Sequence, residues 1–316
     1  MALQLSTSAH WVVIQVPPVL SMPLVAGLAS TAGNRTQTAT LWNGTIATNL
    51  DLNNLGGEIS YSTAINASGQ VAGIAPSAAN PAQHATLWNG TTATDLGMLG
   101  GGTRNYAYAI NASSQVAGYA YTSNDSVYHA TVWNGTTATD LGTLGGNYSI
   151  ARAINDTSQV VGYAYTTNDT LYHATLWNGK SAIDLDANDL NYSIARAINA
   201  SGQVVGNTSN ASGFAERAML WNGTTATDLN SLLDSSSVSA GWVLKQANGI
   251  NDNGWIVGNA LNTLLGISSH AFLLSITSVA AVPEPETYAM LIAGLGLIGF
   301  KTRRRTNASL MRVYFL

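Results

Sequence analysis

Regularly spaced histidines and aspartates are the residues in this sequence whose types could support chemistry. The histidines are His84, His129, His173 and His270, and the aspartates are Asp95, Asp140, Asp184 and Asp228. Imidazoles bind metal ions through bonds of about 2 Å, and two carboxylates about 5 to 9.5 Å apart can hydrolyse a glycosidic bond. Each type recurs only once in about 44 residues, however. We therefore expect no metal, cofactor or catalytic site, a local hydrogen bond for each histidine, and a turn-capping role for each aspartate.

These residues belong to a sequence unit that is written five times. A tryptophan marks each copy, at intervals of 46, 45, 44 and 44 residues: Trp42, Trp88, Trp133, Trp177 and Trp221. Asn-Gly follows every tryptophan, and an Ala/Gly-Ile-Asn triplet and a Val/Ile-x-Gly segment come later in the unit. A period of this size indicates a repeat architecture, in which one unit cannot bury its apolar face without a neighbour.

The copy that begins at His129 predicts four short strands. Alternating residues, many of them β-branched or aromatic, predict strands at residues 129–133, 136–141, 149–154 and 159–163. Asn134-Gly135 predicts a tight hairpin with a type I′ turn, because both residues tolerate positive φ. Four antiparallel strands in a unit of this length are typical of one blade of a β-propeller. A parallel β-helix, whose coils are shorter, is the alternative.

The two ends of the array predict a closed ring. Val25-Ala26-Gly27 reproduces the last strand of a blade ahead of the first full copy, and residues 270–274 reproduce a first strand after the last copy. Two such halves could pair, which would remove exposed strand edges. We therefore predict an all-β propeller of about six four-stranded blades, in which five full repeats and one shared closing blade place residues 23–28 and 270–275 in the same sheet.

The composition is that of a large and weakly charged protein. Of 316 residues, 46% are apolar and only 9% are charged, compared with roughly 25% charged residues in an average soluble domain. Residues 1–280 contain seven basic and fourteen acidic residues, so the body has no basic stripe and we expect no nucleic-acid partner. The absence of cysteine excludes disulfides and thiolate metal sites.

The repeated segments resemble a known family. Residues 129–133 read His-Ala-Thr-Val-Trp, residues 140–146 read Asp-Leu-Gly-Thr-Leu-Gly-Gly, and residues 197–206 read Ala-Ile-Asn-Ala-Ser-Gly-Gln-Val-Val-Gly. Over residues 25–275 such segments resemble the HAF family of bacterial extracellular repeats. The histidine is replaced by Thr38 in the first copy and by Arg217 in the fifth. The resemblance implies a secreted or surface protein and no particular activity.

A proline- and glutamate-containing segment, an apolar run and a basic cluster follow one another near the C-terminus. The first comprises Val282, Pro283, Glu284, Pro285 and Glu286, the run spans residues 288–300, and the cluster contains Arg303, Arg304 and Arg305. As a helix the run would extend about 20 Å, short of the roughly 30 Å hydrocarbon core of a bilayer. This order resembles the PEP-CTERM sorting signal of Gram-negative bacteria. The resemblance implies transient anchoring in the inner membrane, an exosortase-like processing partner, and a final location at the cell surface or in the extracellular matrix.

These features divide the chain into four segments. We predict an N-terminal apolar segment at residues 1–22, the HAF-repeat propeller at 23–279, the sorting signal with its apolar helix at 280–305, and a tail at 306–316. No basic residue precedes the N-terminal apolar residues and Pro17-Pro18 interrupts them, unlike a usual signal peptide. We interpret residues 1–22 as a degenerate signal or a truncated repeat, and expect a chain that begins inside a longer protein.

Variation between the copies indicates a candidate ligand face. Two residues before the repeated isoleucine, the copies contain Thr63, Tyr108, Arg152, Arg196 and Asn248. Nearby loops add tyrosines, which can stack on and hydrogen-bond a sugar. The predicted face comprises Tyr108, Arg152, Arg196, Tyr121 and Tyr165. We predict a structural, adhesive or glycan-binding role in which extracellular polysaccharide is the partner; the alternative is a propeller enzyme, a glycosidase or lyase, that acts on extracellular polysaccharide.

The sorting signal predicts that the mature protein in its native host lacks the residues beyond about Tyr288. The Pro-Glu-Pro segment is open to a protease, because proline disfavours helix in the residue before it. Replacing Arg303, Arg304 and Arg305 with aspartate should remove the cytoplasmic stop, so that the tail slips through the membrane. Intact-mass spectrometry of the surface fraction measures both effects. A surface protein that retains Phe300 and the arginine cluster would contradict processing.

Overall fold

The protein is an all-β chain throughout the residues that the computed structural model describes, which are 12–13, 24–30, 37–50, 59–77, 80–186, 192–210, 216–275 and 313–315. Its strands are short and rich in alanine, valine, threonine and tyrosine. Such residues suit a pleated sheet, in which successive side chains point to opposite faces. The predicted all-β class is confirmed.

The described strands form six consecutive units of four, named units 1 to 6, and each unit is an antiparallel meander in chain order. Unit 1 contains β1 (Val12–Val13), β2 (Leu24–Ser30), β3 (Gln37–Asn43) and β4 (Ile46–Asn49). Unit 2 contains β5 (Tyr61–Ile65), β6 (Val71–Ser77), β7 (Asn80–Asn89) and β8 (Thr92–Asp95). Unit 3 contains β9 (Asn105–Ile110), β10 (Val116–Tyr121), β11 (Tyr128–Asn134) and β12 (Thr137–Asp140).

The second half of the array repeats this arrangement. Unit 4 contains β13 (Gly145–Ile154), β14 (Gln159–Thr166), β15 (Tyr172–Asn178) and β16 (Ser181–Asp184). Unit 5 contains β17 (Tyr192–Ile198), β18 (Gln203–Ser209), β19 (Arg217–Asn222) and β20 (Thr225–Asp228). Unit 6 contains β21 (Trp242–Ile250), β22 (Trp255–Asn262), β23 (Ile267–Ser275) and β24 (Val313–Phe315). The described helical segments are α1 (Ser235–Ser239) and 3-10 turns at Ser123–Asp125, Thr167–Asp169 and Leu229–Leu232.

Units 3 and 4 are joined edge to edge. Tyr128 of β11 pairs in parallel with Tyr148 of β13, which merges the two meanders into one eight-stranded sheet. The other described units are separate four-stranded sheets, so these residues form five sheets. The link brings the start of β11 beside the start of the next unit.

Apolar clusters between successive units provide the core. One cluster joins each neighbouring pair, from units 1 and 2 to units 5 and 6. Tryptophans at one strand position are fully buried in four of these clusters: Trp88, Trp133, Trp177 and Trp221. They pack with small residues of the preceding unit, as Trp177 does with Ala117 and Ala130. The repeated tryptophan is therefore buried between neighbouring units at these positions, whereas Trp42 of unit 1 is only partly buried.

The ends of the array do not pair as predicted. Strand β2 lies in unit 1 between β1 and β3, whereas β23 lies in unit 6 between β22 and β24. The prediction of one shared closing blade is therefore wrong. Each end completes its own sheet instead, because β1 pairs with β2 and β24 pairs with β23. These two strands cover locally the edges that ring closure was predicted to cover.

The grouping of strands into sheets also differs from the predicted one. Residues 129–163 do not form a single blade, because β11 and β12 belong to unit 3 and β13 and β14 belong to unit 4. The Val-x-Gly strand continues its antiparallel ladder into the tryptophan strand that follows it, as the pairing of Gly118 with Thr131 illustrates. The loop after the repeated aspartate therefore carries the chain to the next unit.

The hairpins at Asn-Gly are present, but their turn type differs from the prediction. Asn134 pairs with Thr137, so the two loop residues are Gly135 and Thr136. Of these two, only Gly135 has a positive φ, of 58°. A positive φ at the first loop position alone is typical of a type II′ turn. The predicted type I′ turn is therefore wrong, because the asparagine backbone is held in the strand ladder.

No helix in the described part of the chain is long and apolar enough to cross a membrane. The apolar helix predicted at residues 288–300 and the sorting residues from Val282 to Arg305 lie outside the described residues. The four predicted segment boundaries stay predictions.

Trp133→Ala is expected to lower the free energy of unfolding by about 3–5 kcal/mol. The ring is fully buried between units 2 and 3, and its Nε1–H donates to the carbonyl oxygen of Gly97 over 3.1 Å. Ile46→Ala is the control, since Ile46 is 67% exposed, and should change stability by less than about 0.5 kcal/mol. Urea unfolding followed by circular dichroism measures both. A loss for Trp133→Ala as small as that of the control would contradict burial between units.

Candidate ligand-binding face

An irregularity in the first strand of units 2 to 6 positions the variable residues of the repeat. In β13, Ala151 pairs with Gly162 and Ala153 pairs with Val161, so Arg152 is an extra residue between them. Such a residue forms a β-bulge, which bends the strand and re-aims a side chain. The same irregularity recurs in the other four units. The bulge residues are Thr63, Tyr108, Arg152, Arg196 and Asn248.

A glycine opposite each bulge allows the two strands to approach closely. A Cβ atom on Gly162 would lie 1.9 Å from the carbonyl oxygen of Ile150, far inside van der Waals contact. Gly118 and Gly206 would meet the same backbone atom of their own units, at 1.8 and 1.9 Å. The glycine of the Val-x-Gly motif is therefore required for close backbone approach inside a sheet.

Tyrosines from units 3, 4 and 5 form a continuous aromatic surface, which we name the tyrosine face. It lies at the strand ends opposite to the Ile-Asn turns, and neighbouring ring centroids are 4.6 to 6.4 Å apart. All ten rings are partly buried. Its members are Tyr106, Tyr108, Tyr119, Tyr121, Tyr128, Tyr148, Tyr163, Tyr165, Tyr172 and Tyr192.

The tyrosine face is continuous across unit boundaries. Tyr119 stacks on Tyr106 within unit 3, with centroids 4.6 Å apart and ring planes 10° from parallel. The ring centroid of Tyr128 lies 4.8 Å from that of Tyr148, which belongs to unit 4. A second crossing, from unit 4 to unit 5, brings another pair of rings to 4.7 Å. Stacked and tilted arrangements at these distances are favourable, so the rings support one another as one surface.

Two arginines lie over rings of the tyrosine face. The guanidinium carbon of Arg104 is 4.2 Å from the ring centroid of Tyr121. That of Arg152, a bulge residue, is 5.4 Å from the centroid of Tyr108 and 5.8 Å from that of Tyr163. Cations at such distances are attracted to the ring face, so the bulge places a positive charge between tyrosines of units 3 and 4.

A third arginine occupies the equivalent bulge in unit 5. Nε of Arg196 donates to Oδ1 of Asn207 over 2.8 Å. Burial, and next the positive charge of Arg152, lower the pKa of the Arg196 guanidinium, while Glu216 acts in the opposite direction. An arginine remains protonated at neutral pH, so Arg152 and Arg196 form a pair of neighbouring cations.

Burial favours the neutral form of several phenol groups of the tyrosine face. Burial raises the pKa of Tyr119 and of Tyr128, and nearby phenols add to the effect because two adjacent phenolates would repel each other. The pKa of Tyr163 is also raised, mainly by burial, although Arg152 opposes this. Each hydroxyl can therefore both donate and accept.

The carboxylates of the neighbouring loops hold those loops together. Asp125 accepts a hydrogen bond from the backbone N–H of Thr103 over 2.8 Å and another from its hydroxyl, and these bonds lower the pKa of Asp125. Asp169 accepts from the backbone N–H and the side-chain amide of Asn147, over 2.7 and 2.5 Å. These two loop acids therefore have structural partners.

The repeated histidines and aspartates form pairs within units 2, 3 and 4, with Nδ1 to Oδ2 distances of 2.6 to 2.8 Å. The pairs are His84 with Asp95, His129 with Asp140 and His173 with Asp184. In unit 5, Arg217 replaces the histidine and lies 3.5 Å from Asp228. The second oxygen of Asp140 accepts the N–H of Gly142 over 2.7 Å, as predicted for a turn cap. No cluster of three possible His, Asp or Glu metal ligands occurs among the described residues.

An asparagine ladder joins units 2 to 6 at the other strand ends. Nδ2 of Asn66 donates to the backbone oxygen of Asn111 over 3.2 Å. Equivalent bonds of 3.1 to 3.3 Å continue through Asn155 and Asn199 to Asn251. The Ile-Asn rows of these five units line one cavity of about 350 Å³. Because the asparagine amides already bond to neighbouring units, the ladder is structural.

The structure brings the predicted face residues together. Tyr108 and Arg152 are in contact, Tyr121 and Tyr165 belong to the same continuous series of rings, and Arg196 lies at the next bulge. Sequence reasoning missed the other tyrosines, since their convergence depends on strand pairing across units. The tyrosine that precedes the repeated histidine in units 3 and 4 was the available signal.

Comparison with known families identifies the C-terminal segment. Residues 281–305 match the model of the PEP-CTERM protein-sorting motif. The chain carries a PEP-CTERM signal. The match confirms this part of the sequence prediction, and the PEP-CTERM signal implies an exported protein that an exosortase, a membrane protease, processes.

Residues 145–269, which cover most of units 4 to 6, match the model described as a protein of unknown function, DUF3466. No curated protein sequence matches the chain significantly. The resemblance to HAF repeats stays a prediction. The PEP-CTERM signal is therefore the comparison that carries functional information.

Gly162→Ala is expected to lower the free energy of unfolding by at least about 3 kcal/mol, because the new Cβ would meet the backbone oxygen of Ile150. Gly179→Ala is the matched control. Its Cβ would enter open space at a φ of 61°, which costs about 1 kcal/mol for a non-glycine residue. Urea unfolding measures both variants. Equal losses would contradict a role for Gly162 in close strand approach.

Proposed function

We propose that this protein is exported, is anchored transiently in the inner membrane by its PEP-CTERM signal, and then binds polysaccharide at the cell surface or in the extracellular matrix. The tyrosine face is the proposed binding surface, and the role is structural or adhesive. The observation that carries the proposal is the presence, in one exported chain, of ten contiguous tyrosines beside arginines.

We also propose that the six units are arranged as the blades of a propeller of HAF-like repeats, with the first strands nearest the axis. The cavity at the Ile-Asn turns supports this arrangement. Rows from five successive units border this cavity, as expected when the units are arranged around a common axis. The tyrosine face then occupies the opposite mouth of that axis, on the side of units 3 to 5.

The chemistry of the tyrosine face suits a sugar chain. Sugar rings present C–H faces, which pack on aromatic rings, and hydroxyl rims, which exchange hydrogen bonds with neutral phenols. The rings are partly buried and braced by one another, so little side-chain freedom remains to be lost on binding. A surface that crosses three units offers length for several sugars.

Binding is favoured over cleavage by the positions of the acids. Glycosidases require two carboxylates poised on opposite sides of the scissile bond. Near the tyrosine face, Asp125 and Asp169 hold loops, and Glu216 accepts from Gln246 over 2.8 Å and pairs with Lys245 at 3.7 Å. These carboxylates are therefore committed to structural bonds.

Screening the full-length protein against an oligosaccharide array, followed by titration calorimetry of the best ligand, tests this function. We expect the double variant Tyr121→Ala and Tyr165→Ala to bind at least about tenfold more weakly. The comparable stacking of a nucleobase on an aromatic side chain contributes roughly 1–3 kcal/mol per ring. Tyr61→Ala is the control, because Tyr61 lies in unit 2, outside the tyrosine face. The affinity of the Tyr61→Ala variant for the glycan should stay within about twofold of that of the unmodified protein.

Two outcomes would contradict the proposal. One is the absence of any bound glycan, and the other is an equal loss of affinity in the Tyr61→Ala variant. Release of reducing ends from a bound polysaccharide would instead favour the enzyme alternative.

A further inference from the structure

We propose that the tyrosine face recognises an acidic sugar, a uronate, whose carboxylate binds between Arg152 and Arg196. This inference rests on the proposed glycan-binding function and specifies its ligand class. The two arginines lie at the bulges of units 4 and 5.

The distribution of charge is the first argument. Residues 1–280 contain twice as many acidic residues as basic ones, fourteen against seven. Three of those seven basic residues nevertheless belong to the strands or loops of the tyrosine face: Arg104, Arg152 and Arg196. Asp125, Asp169 and Glu216 lie near the same surface, but they are held by loop residues, by Gln246 and by Lys245. Arg152 and Arg196 are therefore the cations of this surface that can attract an anionic group.

The second argument is that two of these cations form no ion pair among the described residues, although the charge of Glu216 favours the charged form of Arg196 from beyond 4 Å. Among the described residues, Arg104 pairs with Asp125 at 3.9 Å, whereas no ion pair within 4 Å includes Arg152 or Arg196. Both occupy the same bulge position in adjacent units, and the positive charge of Arg152 disfavours the charged form of Arg196. A bound anion would relieve this repulsion.

The geometry of the two side chains suits a carboxylate. Arg152 is exposed, and its contacts are with the rings of Tyr108 and Tyr163. Nε of Arg196 donates to Asn207, which orients its guanidinium, and this side chain donates no second hydrogen bond among the described residues. Guanidinium groups bind carboxylates through two parallel hydrogen bonds, so the pair can hold both oxygens.

The flanking rings explain why the anion would be part of a sugar. In a uronate the carboxylate is attached directly to the pyranose ring. The ring can therefore stack on Tyr108 or Tyr163 while its carboxylate meets the adjacent Arg152. An anion without a ring would leave these two aromatic surfaces unused.

Titration calorimetry of the full-length protein with oligogalacturonate and with its methyl ester tests the inference, because the two ligands differ in the ionised carboxylate. We expect the acid to bind at least about tenfold more tightly, as hydrogen bonds to charged groups contribute roughly 1.5–3 kcal/mol. Arg152→Gln and Arg196→Gln should each remove most of this preference. Arg152→Lys, which keeps the charge without the fork, should retain part of it.

Lys180→Gln is the matched control, since it removes one positive charge from an exposed turn at the other end of unit 4. It should leave the preference for the acid intact. Equal affinity for acid and ester, unchanged by Arg152→Gln, would overturn the uronate inference and leave glycan binding standing. If neither ligand binds and no neutral glycan binds, both the uronate inference and the glycan-binding function are overturned. If polyglutamate binds as tightly as oligogalacturonate, or if Lys180→Gln lowers the preference for the acid as much as Arg152→Gln does, the effect is one of overall charge. Either result would refute a site for a sugar carboxylate.

Discussion

Each of units 2 to 5 depends on the preceding unit to bury one indole ring. The four buried tryptophans lie in clusters that draw residues from two successive units, and the preceding unit contributes mainly small residues such as Ala117 and Ala130 to the contact with Trp177. A four-stranded meander of this length could not cover such a ring by itself. Stability is therefore distributed along the array. Four of the five interfaces bury an indole ring, and Phe272 and Leu274 are buried at the fifth.

Close packing of the first two strands in units 2 to 6 also produces the bulge positions, whose residues vary between units. The glycine of the Val-x-Gly strand lets the first strand approach and bulge. The bulge residue is threonine, tyrosine, arginine or asparagine in different units, while the tryptophan of units 2 to 5 stays buried. The same backbone device thus keeps the core constant and leaves the surface free to change from unit to unit.

Polar groups reinforce this division between constant and variable positions. The asparagine ladder ties units 2 to 6 at one set of strand ends, and the His-Asp pairs close the hairpins within units 2 to 4. Where the histidine is replaced by Arg217, the partner Asp228 still has a cation beside it. The substitution of arginine for histidine in unit 5 therefore preserves a pair between a basic side chain and the repeated aspartate.

The sequence by itself determined the all-β class, the strands, the hairpins after each tryptophan and the sorting signal, because all of these depend on local patterns. It also located Tyr108, Arg152 and Arg196, since variation at one position of a repeat is visible without coordinates. Only the tertiary structure decided which strands share a sheet, and it contradicted both the predicted closing blade and the predicted blade at residues 129–163. An alternating pattern of apolar and polar residues predicts a strand, but it does not show with which other strand that strand pairs. The tyrosine face followed from that decision, since rings as distant in sequence as Tyr106 and Tyr192 join one surface only when successive sheets align.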